Sequence, residues 1–183
     1  SLSLGSNLAT IAYEAGARVL GFIVFPFVNQ IVFISKNVMR FFGKDGSKNA
    51  RLIFNGVDIS VFHDIPTHER ALMRGKLGLP IDKKIVLFVG RLIDLKGVQY
   101  LLPAFAKLRQ KMENVVLFIL GEGECQEELE NISRNLKLEN KVYFMGNIDN
   151  ELLGAYYLLC NVFVLPSITT HYADACPLVV NEA

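Results

Sequence analysis

Two cations stand where an apolar run hands over to an amphipathic one. In FVGRLIDLKG, residues 88–97, Arg91 directly follows the glycine that ends IVLFVG, and Lys96 sits with Gly97 where the next helix is expected to start. A helix N-terminus adds unpaired N–H groups and a favourable dipole, so the three together suit a diphosphate. Charge-assisted hydrogen bonds of about 1.5–3 kcal/mol each arise only when a phosphate is present. Without one, Arg91 and Lys96 are solvated surface cations, and residue type alone leaves both readings open. The second stretch is DACPLVVNEA, where Asp174 lies before and Glu182 within a helix expected to begin near Pro177, a residue acceptable in a first helical turn. Carboxylates so placed accept hydrogen bonds from sugar hydroxyls while the helix N-terminus faces a phosphate. The alternative is that Asp174 caps the helix and Glu182 faces solvent.

Other chemistries find little support. Gly121-Glu122-Gly123 opens like a dinucleotide fingerprint, but the third glycine would fall at Gln126 and the preceding strand is the second of its domain. A nicotinamide or flavin site is therefore disfavoured. His63, His68 and His171 share no ligand spacing, which removes the basis for a metal site or a His-centred triad. Cys125, Cys160 and Cys176 are odd in number and lack CxxC spacing, so they read as reduced intracellular thiols. A net charge of +1 gives no global field for nucleic acid or an anionic membrane, and any anion must be caught locally.

These residues need elements to hold them. A hydrophobic content of 51% marks a chain that folds. Residues 19–35, VLGFIVFPFVNQIVFIS, are interrupted by Pro26 and Asn29-Gln30 short of the roughly 18–20 residues a membrane span needs. They are expected to form a buried helix to about Val28 and then a short parallel strand, IVFIS. A short helix KNVMRFF, a loop at Gly43–Lys48 and a strand RLIF follow. Polar residues from His63 to Arg70 mark a linker, with a domain boundary near 60–67. Beyond it the pattern predicts helices over 68–77, 97–111, 124–136 and 149–158 alternating with strands over 84–89, 115–120, 141–145 and 161–165. Continuous apolar strands between helices mean an α/β fold with a parallel sheet covered on both faces. Ligands of such sheets bind at the carboxyl ends of the strands. Ser1 opens in mid-pattern, without a signal peptide, and the chain is expected to be part of something longer.

IVFISKNV, LIFNGVDISVF, VLFVGRLIDLKGVQYLLPAF, LFILGEGE, VYFMGNID, FVLPS and DACPLVVNEA occur in the order and spacing of the retaining GT-B glycosyltransferases of the "glycosyl transferases group 1" (family 4-like) type, which the sequence resembles over about residues 28–183. The resemblance implies two Rossmann-like domains: residues 1–62 as the C-terminal part of the N-terminal acceptor domain, and 63–183 as the nucleotide-sugar-binding domain, truncated at its end. It implies that Arg91 and Lys96, beside Gly90, hold the donor diphosphate and stabilise it as leaving group. Glu182 matches the second acid of the family's E-x7-E motif, which accepts from the ribose. Asp174 stands where a glutamate normally contacts the donor sugar, a departure of one C–C bond, about 1.5 Å. Backbone N–H groups of Cys176 and Leu178 would face sugar and phosphate, though Pro177 has none to offer. The turn Gly146-Asn147 would contact the base.

The implied function is transfer of a sugar from a nucleotide-sugar, with retention at the anomeric carbon, to a glycan or lipid-linked acceptor in polysaccharide biosynthesis. No metal or other cofactor is implied, and the fragment alone is expected to be inactive. The implied location is cytoplasmic, with peripheral association at the inner face of the membrane as a further expectation and no nucleic-acid partner. Sugar-nucleotide 2-epimerases share the architecture without the VGR-x4-KG and acid-x7-Glu combination. They are the alternative, together with a non-catalytic, membrane-associated protein of the same fold.

Overall fold

The computed structural model describes residues 2–57, 65–168 and 179, with side chains from Ala12 onward. The chain divides into two compact units, Ser1–Asn55 and Gly56–Ala183.

In the first unit, helix α1 (Leu2–Val24) runs through a 3-10 turn at Phe25–Phe27 into strand β1 (Ile31–Phe33). Helix α2 (Lys36–Phe41) returns the chain to strand β2 (Ala50–Leu52), which pairs parallel with β1 in the register Ile31 to Ala50. Ser35 starts α2 by accepting the Asn37 N–H at 3.2 Å, the usual task of a serine N-cap. The core is small: Ile31, Phe33, Met39 and Ala50, packed against Phe25 and Phe42. The expectation of a buried helix to Val28 is wrong on two counts. Regular helix stops at Val24, as Pro26 within the 3-10 turn has no N–H to continue the ladder. From Ala12 onward the helix is also mostly exposed: Phe22 is 83% and Leu20 62% accessible, because two strands and one short helix give its apolar surface little to bury against. Among the described residues no helix is long and apolar enough to cross a membrane.

The second unit carries the alternation read from sequence. It comprises α3 (Thr67–Lys76), β3 (Lys84–Val89), α4 (Val98–Lys111), β4 (Val115–Leu120), α5 (Gln126–Asn135), β5 (Val142–Gly146), α6 (Asn150–Leu159) and β6 (Val162–Phe163). The four strands form one parallel sheet in the order β5-β4-β3-β6, β3 and β4 aligned from Lys84–Val115 to Val89–Leu120. Successive side chains of a strand alternate faces, and both faces here are covered. Val86 and Phe88 pack with Leu101, Leu102 and Phe105 of α4 and Leu129 of α5. Ile85, Leu87 and Val89 pack on the other side with Tyr156, Tyr157 and Leu159 of α6. That is why KIVLFV and VVLFIL are unbroken apolar runs rather than alternating ones. Each fully buried side chain contributes about 1.5–3 kcal/mol, so this unit holds most of the fold's driving force.

Candidate functional site

The loops after β3, β4 and β5 leave the carboxyl edge of this sheet. After β3, Leu92 is completely buried and anchors the turn, while Arg91 before it is exposed. Lys96 lies just ahead of α4, beside the helix start expected at residue 97. It closes a separate 3-10 turn, Asp94–Lys96, and α4 begins only at Val98, after Gly97. The reason is Gly97, whose φ of 73° is left-handed and breaks the helical path. A Cβ at Gly97 would also come within 2.0 Å of the Pro166 carbonyl oxygen. The segment after β6 is thus laid directly on this turn, and the Ile168 N–H donates to Leu95 O at 2.9 Å. The Lys96 stem stays beside the strand end, its Cδ 4.0 Å from where a Cβ of Gly90 would sit.

The loop after β4 is locked to the loop after β3. Leu92 N–H donates to Glu122 O at 2.9 Å and Cys125 N–H to Leu92 O at 3.0 Å. A Cβ on Gly121 would stand 2.1 Å from Gly90 O, a separation only glycine permits. Next to these, β5 carries an irregularity: Ile119 faces Phe144 but Leu120 faces Gly146, so Met145 is an extra residue in the ladder. Such a bulge turns the strand end, and here it delivers Asn147 to the same side as Gly90 and Arg91.

A cleft of about 380 Å³ results, lined by Gly90, Arg91, Glu122, Asn147, Asn150 and Leu153 among others. Three of the residues singled out in the sequence, Gly90, Arg91 and Asn147, therefore share one cavity. Lys96 flanks it through Gly90, and the Gly146 carbonyl accepts the Gly121 N–H at 2.7 Å. Asp174, Cys176, Leu178 and Glu182 lie outside the described residues. Glu122 and Asn150 were missed. Glu122 lies within Gly121-Glu122-Gly123 and in the motif LFILGEGE, but the sequence assigns its side chain no role. A larger cleft, about 610 Å³, lies in the first unit between α1 and α2. There Arg18 lies 4.5 Å from the Phe41 ring centroid and Lys44 5.4 Å from that of Phe25. It opens beside Phe25–Pro26 and Gly43–Lys44, which precede the strands, so it lacks the strand-end loops that make ligand sites in such sheets.

Cys125 lies close to the cation turn as a half-buried free thiol. Burial, then the hydrogen bond its thiol donates to Asp94 Oδ1 at 3.5 Å, raises its pKa and so disfavours the thiolate. Among the described residues no group of three or more His, Cys, Asp or Glu side chains is placed to hold a metal ion. What the cleft offers is a strand-end cation with a lysine nearby, backbone polar groups and an acid.

Residues 69–183 match the family described as "Glycosyl transferases group 1". The chain belongs to that family. An uncharacterised glycosyltransferase of Methanocaldococcus jannaschii is 31% identical over 144 residues, 76% of this chain and 36% of that protein. A GDP-mannose-dependent alpha-(1-6)-phosphatidylinositol monomannoside mannosyltransferase of Mycolicibacterium smegmatis is 33% identical over 114 residues, 62% of this chain and 29% of its own length. Among solved structures, HepE of Anabaena in complex with UDP and glucose superposes with a TM-score of 0.77 at 23% identity, over 93% of this chain and 46% of that one. At that identity the likeness shows the fold, and the expectation of an α/β, GT-B type architecture holds. This chain of the group 1 family spans less than half the length of these relatives.

Proposed function

We propose that the chain is the donor-binding part of a retaining glycosyltransferase, taking a nucleotide-sugar and passing its sugar to a glycan or lipid-linked acceptor. The observation that carries this reading is the cleft at the β3–β4–β5 carboxyl edge, where Arg91 and Asn147 converge with Lys96 alongside, in a chain of the group 1 family. Relatives support the substrate class: the HepE structure holds UDP and glucose, and the mycobacterial mannosyltransferase is named for GDP-mannose.

In this reading the nucleoside diphosphate lies across the strand ends. Arg91 and Lys96 neutralise the charge that grows on the diphosphate as its bond to the anomeric carbon breaks, so protein cations do the work a divalent metal does elsewhere. Gly90 lets the phosphate approach the backbone, and the Gly146-Asn147 turn meets the base. Glu182 accepts from the ribose hydroxyls and Asp174 from the donor sugar, with the Cys176 and Leu178 N–H groups beside them. Residues 1–62 belong to the acceptor half and 63–183 to the donor half. The protein works in the cytoplasm, and the exposed Phe22 and Phe27 with nearby Arg18 suit peripheral contact with a membrane face.

The test is turnover by the full-length polypeptide with UDP-glucose and GDP-mannose, with and without glycan or lipid-linked acceptors in EDTA. Acceptor-dependent release of nucleoside diphosphate and a product that keeps the donor's anomeric configuration are expected. An inverted product refutes retention, and release that needs added metal refutes the cation mechanism.

A further inference from the structure

The cleft between α1 and α2 takes no part in donor binding, and its charged lining is of one sign. Arg18 and Phe22 stand four residues apart on one face of α1, Phe25 follows in the 3-10 turn, and Arg40, Phe41 and Lys44 form the other wall. Gly21 lets the walls close, since a Cβ there would stand 2.9 Å from the Phe42 ring. Three cations and no acid line the space. Arg40 meets Asp45 at 3.3 Å, but both side chains are 63% exposed and such a pair is weak. Arg18 and Lys44 lie over the rings of Phe41 and Phe25 instead. A ring face attracts a cation without neutralising it, so the N–H donors remain available to an anion.

The apolar surface of the same helix is as open as its cation. Val19, Leu20, Phe22 and Ile23 are each more than half exposed. A soluble anion satisfies the cations and leaves this surface wet, whereas an apolar protein segment covers it and buries three cations without partners. A lipid phosphate with its acyl chains meets both needs, the chains against α1 and the headgroup between the cations. Charge favours the same occupant. Residues 1–55 carry six Lys and Arg against two Asp and Glu, a net +4, whereas residues 56–183 carry 13 against 16, a net −3. The near-neutral chain thus hides a basic first unit, which is the unit an anionic bilayer attracts. We propose that the α1–α2 cleft binds the phosphate headgroup of an anionic membrane lipid through Arg18, Arg40 and Lys44. This site rests on the reading that the protein meets a membrane face, and it lies in a different unit from the donor cleft.

The experiment is co-sedimentation of the full-length protein with vesicles of phosphatidylcholine alone, and of phosphatidylcholine with an equal part of phosphatidylglycerol, at about 0.1 M salt. The proteins compared are the wild type, Arg18→Gln with Lys44→Gln, and Lys36→Gln with Lys48→Gln. The last pair removes the same charge from the same unit outside the cleft, and circular dichroism confirms that each protein is folded. The wild type should bind the phosphatidylglycerol vesicles at least about tenfold more tightly than the neutral ones. The cleft variant should lose at least about tenfold in affinity for the anionic vesicles, and the control about threefold or less. Equal losses in the two variants, no loss in either, or equal binding of the wild type to both vesicles overturns the cleft as a headgroup site and leaves membrane contact standing. If the wild type binds neither vesicle, membrane contact itself is refuted and the site with it.

Discussion

Arg91 and Leu92 divide the end of β3 between them, the buried leucine fixing the turn and the exposed arginine facing the cleft. A cation directly after an apolar run that ends in glycine can be seen in sequence, because strand ends and charge are both local features. The position of Lys96 was harder to see, since a glycine with a left-handed φ looks the same in sequence as one inside a helix start. Glu122 could be placed in a strand-end loop from sequence but not in the wall of the cleft, because its contact with Asn147, 25 positions away, depends on a bulge that turns Asn147 toward it. At this scale the two acids of the proposed donor site make opposite predictions. Glu182→Gln should weaken nucleoside diphosphate binding, as charge-assisted bonds to the ribose weaken. Asp174→Asn should leave free diphosphate affinity nearly unchanged while impairing the intact sugar donor, measured by calorimetry against the two ligands in parallel. Equal losses for both would show that Asp174 only supports its loop.

Elements were most legible where burial is two-sided. The runs at Lys84–Val89 and Val115–Leu120 are long, apolar and bounded, and their observed limits equal the expected ones. Strand β6 came out as Val162–Phe163 alone, shorter than the run over 161–165, because its ladder partners on β3 are only Val86 and Leu87. Helix α1 shows the opposite case, where an apolar helix was read as buried although its described neighbours, chiefly Phe41 and Phe42, cover little of it. The sequence also hid the tie at the amino edge of the sheet. Arg74 donates to Lys83 O at 3.0 Å and to Leu159 O at 2.7 Å, and Asn161 Oδ1 takes the Ile85 N–H at 2.8 Å. Arg74→Ala should cost at least about 1.5 kcal/mol in denaturant unfolding and leave diphosphate affinity unchanged, since it acts far from the carboxyl edge. Gly97→Ala should do both kinds of harm. A left-handed alanine costs about 1–2 kcal/mol and its methyl drives Pro166 off the cation turn, so stability and donor affinity should fall together.

Taken whole, the molecule joins a well-covered sheet to a first unit whose apolar residues lie largely open, Phe27 at 86% and Phe22 at 83% accessible. This 183-residue chain on its own should associate as its concentration rises, seen by analytical ultracentrifugation, and Phe22→Ser with Phe27→Ser should reduce that association. Alkaline pH should weaken the fold of the second unit. Burial raises the pKa of the Cys160 thiol from its ordinary 9.0 and that of Tyr156 from 10.0. Their contribution to stability is complete below those ordinary values and is lost as pH climbs through the folded ones, so the melting temperature should begin to fall above about pH 9. The central claim is that the β3–β4–β5 edge binds a nucleoside diphosphate through its two cations, and its most direct test is calorimetric titration of UDP and GDP into the wild type, Arg91→Ala and Lys96→Ala. The account predicts binding by the wild type and a loss of about 1.5–3 kcal/mol in each variant, nearer the lower figure for exposed Arg91. Diphosphate affinity unchanged in both variants would contradict it.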